Sequence, residues 1–390
     1  MKRNRACLCV LLAAMMLLSG CWNVNAIDNL DYVNAIGIDY LEDEKQFVVC
    51  LQLLSFEKAA KSEQGIKPDP TPAWLGIGKG KSYNEAIGKI TVESQRRLFW
   101  GHVTALVLGD GFLNKGEISE TLQTFFRFYE LRYTMWVFGT KDKLTDIFTA
   151  TPNFERSRLR MLLHTPKENF KQRSYIAPLR LNDFMAEYYE PVHTLALPSI
   201  TIGTDIWHKN EEPIESLRYN GIYSFWQQKQ TGFIPIEKIK GIRWMVPQTN
   251  RAPVSIVKDG KNVAGARMRK PRIAVKVAEA GGKPRFDVHV IVEGAITELD
   301  EGVPSKELIK QLQDAIEKEI RETYATGLKY QADLLGLGNR LYDKGADKYR
   351  QFADEKLFVL KPDSLRDVKV EVQLTTAGKY TYKQYNKDER

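Results

Sequence analysis

The stretch Gly76-Ile77-Gly78-Lys79-Gly80-Lys81-Ser82 has the residue types of a phosphate loop, in which backbone N–H groups and a lysine cradle a nucleotide. The spacing argues against that chemistry. Leu75 stands where the pattern needs its first glycine, five residues before Gly80. Ser82 and Glu85 instead form an S-x-x-E capping box for a helix that begins there, and the glycines permit a tight turn. The five histidines, His102, His164, His193, His208 and His289, are scattered and form no i,i+4 zinc pair. No G-x-S-x-G elbow marks a serine nucleophile, and no motif singles out two carboxylates for glycosidase chemistry. The expectation is therefore a protein that is not an enzyme, with no cofactor and no metal. Two further groups point to binding. Arg267-Met268-Arg269-Lys270-Pro271-Arg272, the densest basic run, could meet lipid headgroups or an acidic partner, or be a solvated loop leading into a strand. Trp207, Tyr219, Tyr223, Phe225 and Trp226 could line a sugar or amino-acid pocket, and core packing explains positions 219, 223 and 226, like the nearby Trp244, as readily.

The sharpest chemical signal is at the N-terminus. Lys2, Arg3 and Arg5 precede a short apolar core, Cys7 to Leu18. That core is too short for the ~20 residues of a membrane-crossing helix, and its basic start and small-residue end describe a secretory signal peptide. Leu18-Ser19-Gly20-Cys21 fits the bacterial lipobox. By that resemblance cleavage falls before Cys21, whose sulfur carries a diacylglyceryl thioether and whose new amino group is acylated. Cys7 and Cys9 leave with the leader, so Cys50, in the apolar run Phe47 to Leu51, has no intrachain partner and reads as a small buried hydrophobe. The net charge of +8 falls to +5 once Lys2, Arg3 and Arg5 are removed, and the mean hydropathy of −0.37 describes a polar body.

Around these residues, strands and helices alternate along the chain. Asp31–Asp39 and Gln46–Leu54 read as a hairpin around the polar turn Glu42–Lys45, followed by a surface loop over 57–72. Strands over 73–77, 102–108 and 133–138 alternate with helices over 82–96 and 116–129, the spacing of an α/β domain. Further on, 272–278, 286–292 and 368–374 alternate apolar and polar residues as strands. Between them the longest helix runs over 305–335, with Leu308, Leu312, Ile316, Ile320, Tyr324 and Leu328 at steps of four. That stripe drifts about 40° per step around the helix, so it suits a diagonal crossing of a twisted sheet. The fold class is α/β and α+β, multi-domain, with mixed sheets flanked by helices and a C-terminal antiparallel sheet packed against the long helix. The expected divisions are a signal peptide at 1–20, a lipidated tether at 21–30, an N-terminal α/β domain at 31–205, a small middle subdomain at 206–265 and a C-terminal α+β domain at 266–390.

The segment GCWNVNAIDNLDYVNAIGIDY from Gly20 resembles the start of the mature Ger(x)C lipoproteins, the C subunits of spore germinant receptors. Cys21, Trp22, Ile27, Leu30, Val33, Ala35, Ile36, Gly37, Ile38 and Asp39 occupy that family's places, while Asn23 departs from its usual acidic residue. GHVTALVLGDGF from Gly101, FFRFYELRYTMWVFGT from Phe125, VEGAITELD from Val292 and ADLLGLGNRLYDK from Ala332 are similar to further family segments. After Tyr342 the family often has tryptophans, where this chain has Lys348-Tyr349-Arg350-Gln351-Phe352. The resemblance implies a non-enzymatic subunit, lipid-anchored through Cys21 on the outer face of the spore inner membrane, acting with integral-membrane A- and B-type receptor subunits in the response to nutrients. It implies no nucleic-acid partner and leaves direct nutrient binding open. The alternative from the same anchor and length is a solute-binding lipoprotein of a nutrient importer. That alternative needs two doubly wound lobes around a hinge, and the C-terminal half does not supply the second.

Overall fold

The computed structural model describes residues 30–54, 73–125, 127, 131–152, 157–258, 260–299, 305–353 and 358–376. The signal peptide, Cys21 and the loop over 57–72 lie outside the described residues.

β1 (Leu30–Leu41) and β2 (Gln46–Leu54) form the expected hairpin. Val33, Ala35, Ile36 and Ile38 are all fully buried, with no polar face to β1. The reason is position: β1 runs inside a nine-stranded sheet with helices on both faces. The sheet continues through β3 (Trp74–Gly80), β4 (Arg97–Phe99), β5 (Ala105–Gly109), β6 (Trp136–Thr140) and β7 (Thr194–Gly203). After the short hairpin β8 (His208–Lys209) and β9 (Glu212–Pro213) come β10 (Ser216–Trp226) and β11 (Lys229–Pro235). The order is β11-β10-β7-β6-β5-β1-β2-β3, with β4 beside the start of β1. The central strands β1, β5, β6 and β7 are parallel, and an antiparallel pair borders them on each side.

One face packs against α1 (Tyr83–Glu93), α2 (Asp110–Lys115), α3 (Ile118–Phe125) and, after the segments below, α6 (Leu181–Tyr189). The other face packs against α4 (Leu144–Thr149), which the chain leaves for α5 (Pro166–Gln172). The single helix expected over 116–129 begins only at Ile118, after the separate α2, and the helix expected over 82–96 stops at Glu93 so that 97–99 can join β1. A three-residue strand and a six-residue helix carry too little periodicity to be read from sequence.

The second sheet contains β12 (Ala252–Lys258), β13 (Lys261–Ala280), β14 (Lys283–Leu299) and β15 (Leu365–Thr376), in that order. β13 and β14 meet at Gly281 and Gly282, whose φ values of 60° and 68° make the two-residue turn that matches strand twist. The first three strands are antiparallel, and β15 joins parallel to β14 because a helical crossover connects the two. That crossover begins with α7 (Ser305–Lys329), followed by α8 (Leu337–Tyr342) and α9 (Ala346–Phe352). Leu308, Leu312, Ile316, Ile320 and Tyr324 are all buried against the sheet, each contributing about 1.5–3 kcal/mol of apolar burial. α7 touches both outer strands, β12 and β15. Its winding stripe therefore crosses the whole four-stranded sheet.

Residues 206–265, expected as a small middle subdomain, are shared between the two sheets. β10 and β11 extend the first sheet through β7, the 3₁₀ turn Lys240–Met245 packs on α7, and β12 opens the second sheet. A two-stranded hairpin such as β10–β11 cannot bury its faces alone, so it joins the first sheet, as β12 joins the second.

Candidate functional site

The glycine stretch is structural. Ser82 is the N-cap of α1, its Oγ accepts from Glu85 N–H at 3.2 Å, and Glu85 Oε2 accepts from Lys81 N–H at 2.8 Å. Gly78 lies in β3 beneath α1, where a Cβ would fall 2.0 Å from the Ala86 carbonyl oxygen. The glycines let a helix lie close on a strand; they do not open a loop for phosphate.

The histidines are dispersed, and no group of metal-ligating residues forms among the described residues. His164 is buried beneath β1 and β2. Thr104 Oγ1 lies 2.6 Å from its Nδ1 and Gln52 Oε1 lies 3.2 Å from its Nε2, while Gln52 Nε2 donates to Phe148 O at 2.8 Å. Burial, reinforced by Arg158, holds this imidazole neutral and pushes its pKa down to about 3. The unfolded chain takes up that proton near 6.5, so between about 6.5 and about 3 the unfolded state binds more protons and acid weakens the fold. We expect the urea midpoint to fall from about pH 7 to about pH 5 with a contribution of up to about 1.4 kcal/mol per pH unit. The fall should be shallower in His164→Asn; parallel pH profiles for the two proteins would remove His164 from this account.

The basic run 267–272 is part of β13 and its bulge, not a loop. Arg269 and Arg272 flank Glu293 at 3.7 and 3.8 Å, and Lys270 N–H donates to Thr249 O at 2.7 Å. The aromatic group divides. Tyr223, Phe225, Trp226 and Trp244 are core, with Tyr223 OH donating to Asp110 at 2.8 Å and Trp244 Nε1 to Glu319 at 2.7 Å. Cys50 is buried, as expected, and burial pushes its thiol up to about 12. Trp207 and Tyr219 go elsewhere, to an open cleft.

That cleft, of about 1390 Å³, is formed by segments 151–152, 157–175, 207–219 and 236–251, where the first sheet meets the 3₁₀ turn before β12. Its cations are Arg160, Lys171, Arg173, Arg218, Lys240 and Arg251, against the carboxylates Glu168 and Glu237. Lys171 pairs with Glu168 at 2.7 Å and Arg218 with Asp205 at 2.8 Å. Among the described residues, Arg160, Arg173, Lys240 and Arg251 have no carboxylate within ion-pair distance. Tyr175 carries the Arg173 guanidinium 4.8 Å and the buried Arg243 guanidinium 5.0 Å from its ring centre. Among the described residues the Tyr219 hydroxyl is enclosed without a hydrogen-bond partner, and burial raises its pKa well above the phenol range, so it stays protonated. These groups can hold anionic oxygens. Reading the sequence found Trp207 and Tyr219 and missed the arginines, because they come from separated segments.

A second feature escaped the sequence reading as well, although its residues lie in ADLLGLGNRLYDK. Asp333 is buried and its carboxylate accepts from the N–H groups of Leu337 at 3.0 Å and Gly338 at 2.6 Å, while its own N–H donates to Thr194 Oγ1 at 2.8 Å. Asn339 meets His193 Nδ1, and His193 Nε2 faces Glu187 at 3.2 Å. Burial raises the Asp333 carboxyl, and the two N–H groups oppose that shift. Together with Ile176, Ile222, Ile234, Ile239, Ala332 and Leu334, these contacts join the α7–α8 connection to the start of β7 and to β10 and β11. The segment is the joint between the two sheets.

The chain thus carries a mixed α/β body with two large sheets, a crossing helix and a cation-lined cleft. Residues 23–202 match the family model described as spore germination protein N-terminal domain, and residues 220–378 match that described as spore germination B3/GerAC like, C-terminal. The chain belongs to the Ger(x)C family of spore germination proteins. It is similar to spore germination protein KC of Bacillus subtilis (strain 168), 23% identical over 394 residues that cover 94% of this chain and 96% of the relative. Spore germination protein B3 of the same organism is 20% identical over 317 residues, 80% of each chain. The crystal structure of the GerBC protein shares the fold, with a TM-score of 0.53 at 16% identity over 87% of this chain and 96% of that one.

Proposed function

We propose that this chain is the C subunit of a nutrient germinant receptor, held by lipid on Cys21 to the outer face of the spore inner membrane. It works through contacts with integral-membrane A- and B-type subunits and not by catalysis. The observation that carries this reading is the in-order match of both germination-family models along nearly the whole chain after the leader. Two further facts support it. No described helix is long and apolar enough to cross a membrane, which is compatible with attachment through lipid on Cys21. Ser82 and Glu85 serve in a helix cap, His164 in packing and His193 in the joint. A solute-binding lipoprotein would need a second doubly wound lobe, and the second sheet here has one parallel pair and a single crossover.

Deleting the gene is expected to abolish the germination response to the receptor's nutrient while germination by a non-nutrient trigger persists. A normal nutrient response in the deletion strain sinks the proposal.

A further inference from the structure

We infer that the cleft between the first sheet and the 240–245 turn is a docking site for an extended acidic polypeptide segment of a partner protein. The inference names the chemistry of one contact and so rests on reading the chain as a subunit that acts through protein contacts.

Three observations converge on it. The cleft is open and, at about 1390 Å³, exceeds the roughly 300–1,000 Å³ that encloses a small ligand. Its charge is one-sided: Arg160, Arg173, Lys240 and Arg251 have no carboxylate partner among the described residues, and Glu237 alone of the lining carboxylates stands outside an ion pair with a lining cation. The guanidinium forks of Arg160, Arg173 and Arg251 match carboxylates in a bidentate geometry that a lysine cannot reproduce. Behind this rim, Tyr175 has the buried Arg243 guanidinium 5.0 Å from its ring centre, and Glu319 at 2.8 Å matches that charge, so the excess of cations lies at the rim. Trp207, 45% exposed, and Tyr219 add apolar surface for the stems of Glu or Asp residues. An open cleft lined by cations from several segments fits carboxylates spaced along a chain better than one compact anion.

The test is fluorescence anisotropy with the purified full chain in detergent and a labelled glutamate-rich peptide, beside its glutamine counterpart. The acidic peptide should bind, the glutamine peptide should not, and affinity should fall as salt is raised. Arg160→Glu with Arg251→Glu should weaken binding by about tenfold or more, since each change replaces an attraction with a repulsion. Lys348→Glu, an exposed charge on α9 away from the cleft, should leave it unchanged. If the double reversal lowers the melting temperature, Arg160→Gln with Arg251→Gln applies the same test and should still weaken binding several-fold. Absence of binding, equal binding of the glutamine peptide, or an equal effect of Lys348→Glu overturns the inference. Displacement of the peptide by millimolar free glutamate or inorganic phosphate would assign the cleft to a small anion and overturn it too. This measurement is independent of germination, so a negative result here leaves the receptor reading standing, and a normal nutrient response in the deletion strain leaves the peptide result standing.

Discussion

Cys21→Ala, made in the host, is expected to yield a chain that incorporates no palmitate label, is not cleaved between Gly20 and Cys21, and is depleted several-fold from membranes after a high-salt wash. The reason is solvation. A diacylglyceryl group brings two acyl chains, each buried methylene contributes about 0.8 kcal/mol, and stable attachment takes two such chains where one is marginal. Nothing described in the rest of the chain substitutes for that term. No described helix can span the bilayer, and a net charge of +5 after the leader, spread over the surface, contributes only where it lies within a Debye length of anionic lipid. The salt wash separates the two, since it strips electrostatic adhesion and leaves acyl chains in place. A Cys21→Ala chain with unaltered processing, labelling and salt-resistant attachment would show that the lipid is dispensable.

Glu319→Ala should cost about 3–5 kcal/mol of stability, against a total of about 5–15 kcal/mol for an ordinary domain. Arg243 Nη2 donates to both Glu319 carboxylate oxygens at 2.8 and 2.9 Å, and Trp244 Nε1 donates to the same carboxylate at 2.7 Å. Arg243 is 2% exposed and Glu319 only 19%, so water cannot take over when the carboxylate is removed. With Nε and Nη1 already unpartnered among the described residues, the truncation leaves an uncompensated cation in the core between α7 and the 240–245 turn. Replacing both partners, Arg243→Met with Glu319→Gln, should cost much less, because no buried charge remains. Urea unfolding followed by tryptophan fluorescence reads both variants. A loss under about 1 kcal/mol in Glu319→Ala, or equal losses in the single and double variants, would mean that the pair is not what holds the turn.

Much of the first sheet and of the crossing helix is legible in the sequence, because those signals are local. The hairpin β1–β2 is marked by two apolar runs around a polar turn, α1 by its capping box, and α7 by six apolar residues at steps of four. Each lies within a window of some twenty residues, where backbone geometry alone decides which side chains share a face. The bounds of α7 still differ from the expected 305–335. The helix stops at Lys329 because Gln331, with a φ of 49°, leaves the helical region and Ala332 N–H turns back to Gly327 O.

Where separated segments meet is a property of the folded chain. The alternation of elements, the stripe on α7 and the absence of a phosphate-loop spacing are readable from residue order. It does not show that β10 and β11 join β7 while β12 opens another sheet, that β15 returns parallel to β14, or that Gly78 sits under the backbone of α1. The joint pairs Asp333 with Thr194 across 139 residues, and the cleft gathers Arg160, Arg173, Lys240 and Arg251 from segments with no common periodicity. Such contacts follow from burying apolar faces of whole elements against one another, a term that depends on shape and area and leaves no pattern in the spacing of the residues it brings together.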